Sequence, residues 1–306
     1  MMIAVFEQTS SAFKLFILLG LLLFGTLLGM LTGLALAAIF YGLPVDMLIL
    51  DQESARGLQV ARLMQLSGQL GLFVFPPLFY AWLTNSRPLQ SLGFKGLKNT
   101  EVVLFGVLTM FVSLPLIHFL GEWNSQLHLP ESMASIEQWM LTKENQAAEL
   151  SERFLQVTTI SGLAFNLCMT AVIPTINEEL VFRGALQPLL IRLFKNAHIG
   201  IILASLLFGL MHLQFYGLLP RVVLGLFLGY YFYYSRSLWL PILMHFVNNG
   251  TAVIVYYLNY NGFIDIEMEN FGASEVMWLV IFSLLLVVAG IVYAKQKFLS
   301  ITNAVN

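Results

Sequence analysis

The chain has 306 residues, of which 58% are hydrophobic and only 10% charged, and its formal net charge at pH 7 is −2. Soluble domains carry about 25% charged residues, so this composition argues against a soluble core and predicts a membrane protein with many spans. The small net charge gives no sign of a nucleic-acid partner. Cys168 is the single cysteine, which excludes a disulfide within the chain and a zinc cluster built from cysteines.

The first half of the chain contains three apolar runs long enough to cross a bilayer. We interpret the first, 16–40, as a retained helix, because it is far longer than the core of a cleaved signal peptide. The second, 63–83, contains Pro76-Pro77, which predicts a kink. The third covers 102–120.

The longest polar segment, 121–156, separates these runs from the second half of the chain. The stretch that follows Pro130 predicts an amphipathic helix that lies on the membrane surface or caps the bundle; a solvated loop helix is the alternative. The fourth span, 161–194, is unusually long, and Pro174 is expected to kink it. The remaining predicted spans are 199–215, 222–234, 238–258 and 276–293.

We therefore predict an all-α, polytopic membrane helix bundle of about eight transmembrane helices, forming a single integral membrane domain over 1–306. An even number of spans places both termini on one side of the membrane. The basic residues that fall on this side are Arg87, Lys95, Lys98, Arg192, Lys195, Arg236, Lys295 and Lys297. Loops on the other side are richer in acid, as in 259–273 with Asp265, Glu267 and Glu269. The positive-inside rule then places both termini in the cytoplasm.

The fourth span contains the most informative stretch, Pro174-Thr175-Ile176-Asn177-Glu178-Glu179-Leu180-Val181-Phe182-Arg183. A charge at the bilayer centre costs roughly 3 kcal/mol, so charged groups there favour a functional role over mere locking of helices. Glu179 and Arg183 are four residues apart, which predicts an ion pair. Glu178 points about 100° away and is left to face a cavity, where a desolvated carboxylate suits a general base.

Three further polar residues lie in apolar helices: His212, His245 and Asn249. Together with Glu178 they suggest hydrolysis, since a carboxylate and an imidazole can deprotonate water while a second imidazole and an amide stabilise an oxyanion. A zinc site of two histidines and one glutamate stays open, although a His-Glu-x-x-His motif is absent. A serine nucleophile is weaker, because no Gly-x-Ser-x-Gly surrounds any serine.

The order of these residues resembles that of a known family, the CAAX prenyl endopeptidases and bacteriocin-processing proteins, also called the abortive-infection family. Three motifs carry the resemblance, each on its own apolar helix: Glu178-Glu179-x-x-x-Arg183, Phe208-x-x-x-His212 and His245-x-x-x-Asn249. Each motif alone is weak, but the ordered triple is specific. The motif-bearing core covers about 161–258.

The resemblance implies an intramembrane endopeptidase of the glutamate type, working without a covalent acyl-enzyme, a cofactor or a metal. By this resemblance Glu178 and His212 activate water, and His245 and Asn249 form the oxyanion site. Glu179 and Arg183 support them, which agrees with the ion pair predicted from their shared helical face.

The implied partners are the lipid bilayer and a peptide or protein substrate, with or without an attached lipid, that is cleaved near its C-terminus. The short loops resemble those of bacterial members, so we expect a protein of the bacterial cytoplasmic membrane that acts in peptide or protein processing. Two other functions stay open: a transporter with a proton relay, although no inverted repeat is visible, and a catalytically silent scaffold of the same fold.

Overall fold

The computed structural model describes residues 4–42, 54–97, 99–266, 271–274 and 276–305. Lys98, Glu267 and Glu269, which contribute to the predicted charge asymmetry, lie outside these ranges. Over the described residues the chain is helical and contains no strand, which confirms the all-α membrane bundle.

In chain order, the helices are α1 Ser11–Tyr41, α2 Arg56–Thr84, α3 Thr100–Val112, α4 Leu114–Ser125, α5 Ala134–Leu155, α6 Ile160–Phe194, α7 Ala197–Met211, α8 Leu218–Ser235, α9 Trp239–Tyr260 and α10 Met277–Val305. Short helical turns cover Pro88–Ser91, Glu131–Met133 and Phe215–Gly217.

The predicted number of eight spans is not confirmed. Among the described residues, five helices are long and apolar enough to cross a membrane, or six if α3 and α4 form one span. That pair is bent by 42°, at Ser113, two residues before Pro115. The predicted fifth span is the α7 helix, which has only 15 residues. In α9, polar side chains that include His245, Asn248 and Asn249 lower the mean hydropathy.

The two long helices that contain internal prolines, α2 and α6, include π-helical segments that end two residues before a proline. In α2 the segment Leu70–Val74 precedes Pro76, and in α6 the segments Leu167–Val172 and Leu180–Leu186 precede Pro174 and Pro188. A proline ring would clash with the carbonyl four residues back, and the wider π turn moves that carbonyl away. The expected distortions at the prolines are therefore present as π segments, and two of them flank the Glu178-Glu179 pair.

Helix α1 packs on α2 through glycines. A Cβ on Gly71 would lie 2.3 Å from the carbonyl oxygen of Gly25, and a Cβ on Gly29 would lie 2.6 Å from the carbonyl oxygen of Ser67. Backbone contact this close requires glycine and is a common way for helices to associate in a membrane. The contact fixes α2, whose C-terminal half packs against the second π segment of α6.

The helix predicted in the polar segment is present as α5. It lies over one end of the bundle. Its Glu144 accepts a hydrogen bond from the backbone N–H of Tyr216 at 3.2 Å, and its Trp139 contacts Phe215 at 5.6 Å between ring centroids. Tyr216 follows His212 closely in the chain, so α5 covers the segment that leads out of the second motif.

Both described chain ends lie at the opposite end of the bundle. The backbone N–H of Phe6 donates to the carbonyl of Leu83, the next-to-last residue of α2, at 2.9 Å. The Lys297 amine pairs with the Glu101 carboxylate, in the first turn of α3, at 2.7 Å. The residues near both termini therefore share one side of the bundle, whereas the cytoplasmic orientation of that side stays a prediction.

Candidate active site

The first part of the site is the buried ion pair of α6. The Arg183 Nη1 donates to the Glu179 Oε1 at 2.9 Å, and both side chains are fully buried. The Arg183 Nη2 donates to the carbonyl of Gly225 on α8 at 3.1 Å, and the guanidinium carbon lies 4.7 Å from the centroid of the Phe208 ring. The structure thus shows the predicted contact between Glu179 and Arg183 and adds two partners that hold the guanidinium.

The second part is His245 of α9, which lies between the two glutamates. Its Nδ1 is 2.9 Å from the Glu179 Oε1, and its Nε2 is 3.9 Å from the Glu178 Oε2. Because an ionised carboxylate can only accept, the Nδ1 carries the proton in this contact and the Nε2 faces Glu178. The sequence predicts Arg183 as the only partner of Glu179, since nothing in it pairs residues 66 positions apart.

Phe208 of α7 holds the two imidazoles in place. Its buried ring makes edge-to-face contacts with His212 at 5.3 Å and with His245 at 5.7 Å between centroids. The carbonyl of Phe208 accepts a hydrogen bond from the His212 Nδ1 at 2.9 Å. This bond fixes the proton on Nδ1, so the Nε2 of a neutral His212 carries the lone pair that a general base requires.

Asn249 follows His245 by one turn of α9 and therefore projects from the same face. Its Oδ1 accepts a hydrogen bond from the Nδ2 of Asn248 at 3.0 Å. The carboxamide is thereby oriented, and its own NH₂ group is the end left to donate. Of the six predicted residues, four are in direct contact, His212 joins them through Phe208, and Asn249 is placed by its position on α9.

Two carboxylate oxygens of the site, the Oε2 of Glu178 and the Oε2 of Glu179, are buried and have no hydrogen-bond partner within the described chain. Buried acceptors are normally satisfied, and an exception calls for an explanation. The Oε2 of Glu178 lies beside the Nε2 of His245. A donor such as water, located between these two atoms and His212, would satisfy it.

A second arginine near the site, Arg221 in the first turn of α8, was not predicted from the sequence. Its guanidinium donates to the backbone carbonyl of Gln214 at 3.1 Å and to the Gln214 side chain at 2.5 Å. It also lies within electrostatic range of Glu178, His212 and Glu144. The sequence did contain a signal for Arg221. An ionisable residue in an otherwise apolar helix costs free energy in a membrane, which favours a functional role.

Gln187 was also not predicted, although it extends the polar face of α6. Glu179, Arg183 and Gln187 recur every four residues, and the Gln187 Nε2 donates to the carbonyl of Gly229 on α8 at 2.9 Å. Arg183 and Gln187 thus bind successive turns of α8. A Cβ on Gly229 would lie 2.9 Å from the Gln187 Oε1 and 2.9 Å from the Ile201 Cγ2, so a larger residue would require these side chains to shift.

Among the described residues, the side chains of the site are not arranged as a set of metal ligands. Over the described residues, no group of three or more His, Cys, Asp or Glu side chains is arranged to hold a metal ion. Glu179 and one nitrogen of His245 are already committed to each other. The absence of zinc in the active protein stays a prediction.

The fold and this site define an all-helical membrane protein with a buried Glu–His–Arg centre. A scan against protein families matches residues 160–251 to the family described as Rce1-like, type II CAAX prenyl endopeptidase Rce1-like. The match confirms the family that the three motifs indicate, over the stretch that contains all of them. The match covers less than a third of the chain, and it supports an intramembrane endopeptidase at the level of the family. No curated protein and no solved structure matches the chain.

Proposed function

We propose that this protein hydrolyses a peptide bond within the membrane, using water activated by Glu178 and His212. The observation that carries the proposal is the buried Oε2 of Glu178, which has no partner within the described chain and lies 3.9 Å from the Nε2 of His245. Glu179 is neutralised by Arg183 and His245, so Glu178 is the carboxylate left to take a proton.

In the proposed reaction the water oxygen attacks the scissile carbonyl carbon as its proton passes to Glu178. The Nε2 lone pair of His212 accepts a hydrogen bond from the same water and orients it. The tetrahedral intermediate then collapses with cleavage of the C–N bond, and the proton returns from Glu178 to the leaving amine. No covalent acyl-enzyme forms at any point.

The oxyanion of the intermediate needs hydrogen-bond donors. In this proposal they are the NH₂ group of Asn249 and the Nε2–H of His245. Because the Nδ1 of His245 donates to Glu179, the Nε2 can donate only if the ring is an imidazolium. The Glu179 carboxylate stabilises that positive charge, since Glu178 is protonated while the oxyanion exists. Glu179 therefore has a role in catalysis as well as in folding.

The substrate class comes from the family. We propose a peptide or protein, with or without an attached lipid, that is cleaved near its C-terminus in the cytoplasmic membrane of a bacterium. Both termini of the enzyme then lie in the cytoplasm. The concentration of cations at the end of the bundle that holds both termini supports this orientation. Residues 1–306 act as one domain in this proposal.

The test is cleavage of fluorogenic peptides by purified protein in proteoliposomes, with unmodified and prenylated cysteine peptides compared. We expect Glu178→Gln to lower the rate by about 10²- to 10⁴-fold, the usual range for general acid–base catalysis. The matched control is Glu131→Gln, which removes an exposed carboxylate far along the chain from the motifs and should leave the rate unchanged. Equal rates for the wild type and Glu178→Gln would reject the proposal.

A further inference from the structure

A cavity lies outside the Glu–His–Arg centre, at the end of the bundle that holds both termini. It has a volume of about 430 Å³ and is formed where α2, α6 and α8 end. The polar residues that line it include Tyr80, Gln90, Lys95, Gln187, Arg192 and Arg236. None of these takes part in the proposed reaction.

The charged side chains of the described residues that line this cavity are all positive. Lys95, Arg192 and Arg236 line it, whereas no lining residue in the described part of the chain is acidic. Lys14 of α1 lies within electrostatic range of both Arg192 and Glu7, so Lys14 and Glu7 together add no net charge nearby. Cations do stabilise helix C-termini, which accounts for Arg192 and Arg236. It does not account for Lys95, which comes from a loop, or for the space between the three.

Hydrogen bonds hold the backbone around the cavity in place. The backbone N–H of Leu238 donates to the carbonyl of Gly93 at 2.8 Å, and the buried Ser237 hydroxyl donates to the carbonyl of Lys95 at 2.6 Å. Gly93 has a φ of +90°, and a Cβ there would lie 2.8 Å from the Phe232 ring. These contacts fix the segment that carries Lys95 against the one that carries Arg236.

We infer that the cavity lies near the level where a membrane meets water. Two tryptophans near it are exposed: Trp82, close to the end of α2, and Trp239, the first residue of α9. Exposed aromatic residues of this kind mark the headgroup level of a bilayer. The cavity wall also includes apolar residues, Leu92, Ile191 and Phe232, so the site combines cations with an apolar surface.

We propose that this cavity binds the phosphate headgroup of an anionic phospholipid. The cations would bind the phosphate, and the apolar wall would contact the start of the acyl chains. Basic pockets between membrane helices recognise such headgroups in this way. A free phosphate ion is also an anion, but it has no acyl chains to contact the apolar wall.

The test titrates the detergent-solubilised full chain with dioleoylphosphatidylglycerol and, in parallel, with dioleoylphosphatidylcholine, counting bound lipid by native mass spectrometry. The variant is Arg192→Gln with Arg236→Asn. Asparagine is chosen because Arg236 has a left-handed backbone with φ of 52°, which asparagine tolerates. We expect roughly 30-fold weaker binding of phosphatidylglycerol after loss of two nearby cations.

The matched control is Arg87→Gln with Lys195→Asn. It removes two cations from the same end of the bundle, neither of which lines the cavity, and Lys195 has the same left-handed backbone, with φ of 51°. The control should bind phosphatidylglycerol like the wild type. Equal losses in both variants would mean diffuse surface charge and would overturn the proposal.

Two further results would also overturn it. One is binding of phosphatidylcholine as tight as that of phosphatidylglycerol. The other is displacement of the lipid by sodium phosphate at matched concentration, which would identify a free-anion site. If the first variant fails to fold by its melting curve, Lys95→Gln replaces it, with an expected loss of about fivefold.

Discussion

The two adjacent glutamates are expected to respond to the same substitution in different ways. In Glu179→Gln the carboxylate that accepts from both Arg183 and His245 is lost. The glutamine side chain keeps one acceptor oxygen, but its NH₂ group can only donate. Arg183 and His245 both donate toward this position, so donors would face donors. Arg183 is then a buried charge without its counter-ion, and breaking such a pair typically costs about 3–5 kcal/mol.

A loss of this size is measurable as a melting temperature. Since the unfolding entropy is about 2.1 cal/mol/K per residue, each kcal/mol lowers the melting temperature of this 306-residue chain by about 1.5 °C. Glu179→Gln should therefore melt about 5–8 °C below the wild type in detergent. Glu178→Gln should melt close to the wild type, because its Oε2 has no hydrogen-bond partner within the described chain to lose.

A second change separates stability from catalysis. Arg183→Met added to Glu179→Gln removes the stranded charge and should recover part of the lost melting temperature. The carbonyl of Gly225, which Arg183 contacts, is inside α8 and keeps its helical partner. Cleavage should not recover, because His245 still lacks Glu179.

Either of two results would refute the different roles of the two glutamates. One is a Glu179→Gln protein that melts like the wild type and cleaves at full rate. The other is a Glu178→Gln protein that unfolds. A double variant that melts no higher than Glu179→Gln would show that the buried charge is not the cause of the loss.

Gly229→Ala should lower the melting temperature by about 2–5 °C, because overpacking costs about 1–3 kcal/mol. Gly20→Ala, which has nothing within 4 Å of its Cβ, should not; equal melting of both would contradict the tight packing around Gly229. Elemental analysis of active protein should give well under one zinc per chain; stoichiometric zinc lost together with activity on chelation would indicate a metalloprotease. Reporter fusions at residue 306 and within 134–155 should report opposite sides of the membrane, and one shared side would disprove the topology.

Much of the site was predictable because it depends on local geometry. The four-residue spacing fixes which side chains share a helical face, and this alone predicts that Glu179 meets Arg183 and that His245 and Asn249 project together. The cost of charge in a membrane is enough to single out α6 as functional from the sequence. The family follows from the order of the three motifs.

The rest depends on contacts between distant parts of the chain. The bond from His245 to Glu179 and the bond from Gln187 to Gly229 join α6 to α9 and α8, and no periodicity encodes such pairs. The span count was not confirmed for a related reason. Hydropathy cannot show that α7 ends after 15 residues or that α3 and α4 are bent by 42°, since both depend on packing.

The central claim, that water activated by Glu178 attacks a peptide held by His245 and Asn249, is tested most directly by an experimental structure. The Glu178→Gln variant, which should bind substrate without cleaving it, would be determined with an intact peptide bound. We predict the scissile carbonyl oxygen about 2.7–3.1 Å from the His245 Nε2 and the Asn249 Nδ2, with its carbon facing residue 178 across one water. A carbonyl bound away from these two groups, or aligned with a serine hydroxyl, would contradict this claim.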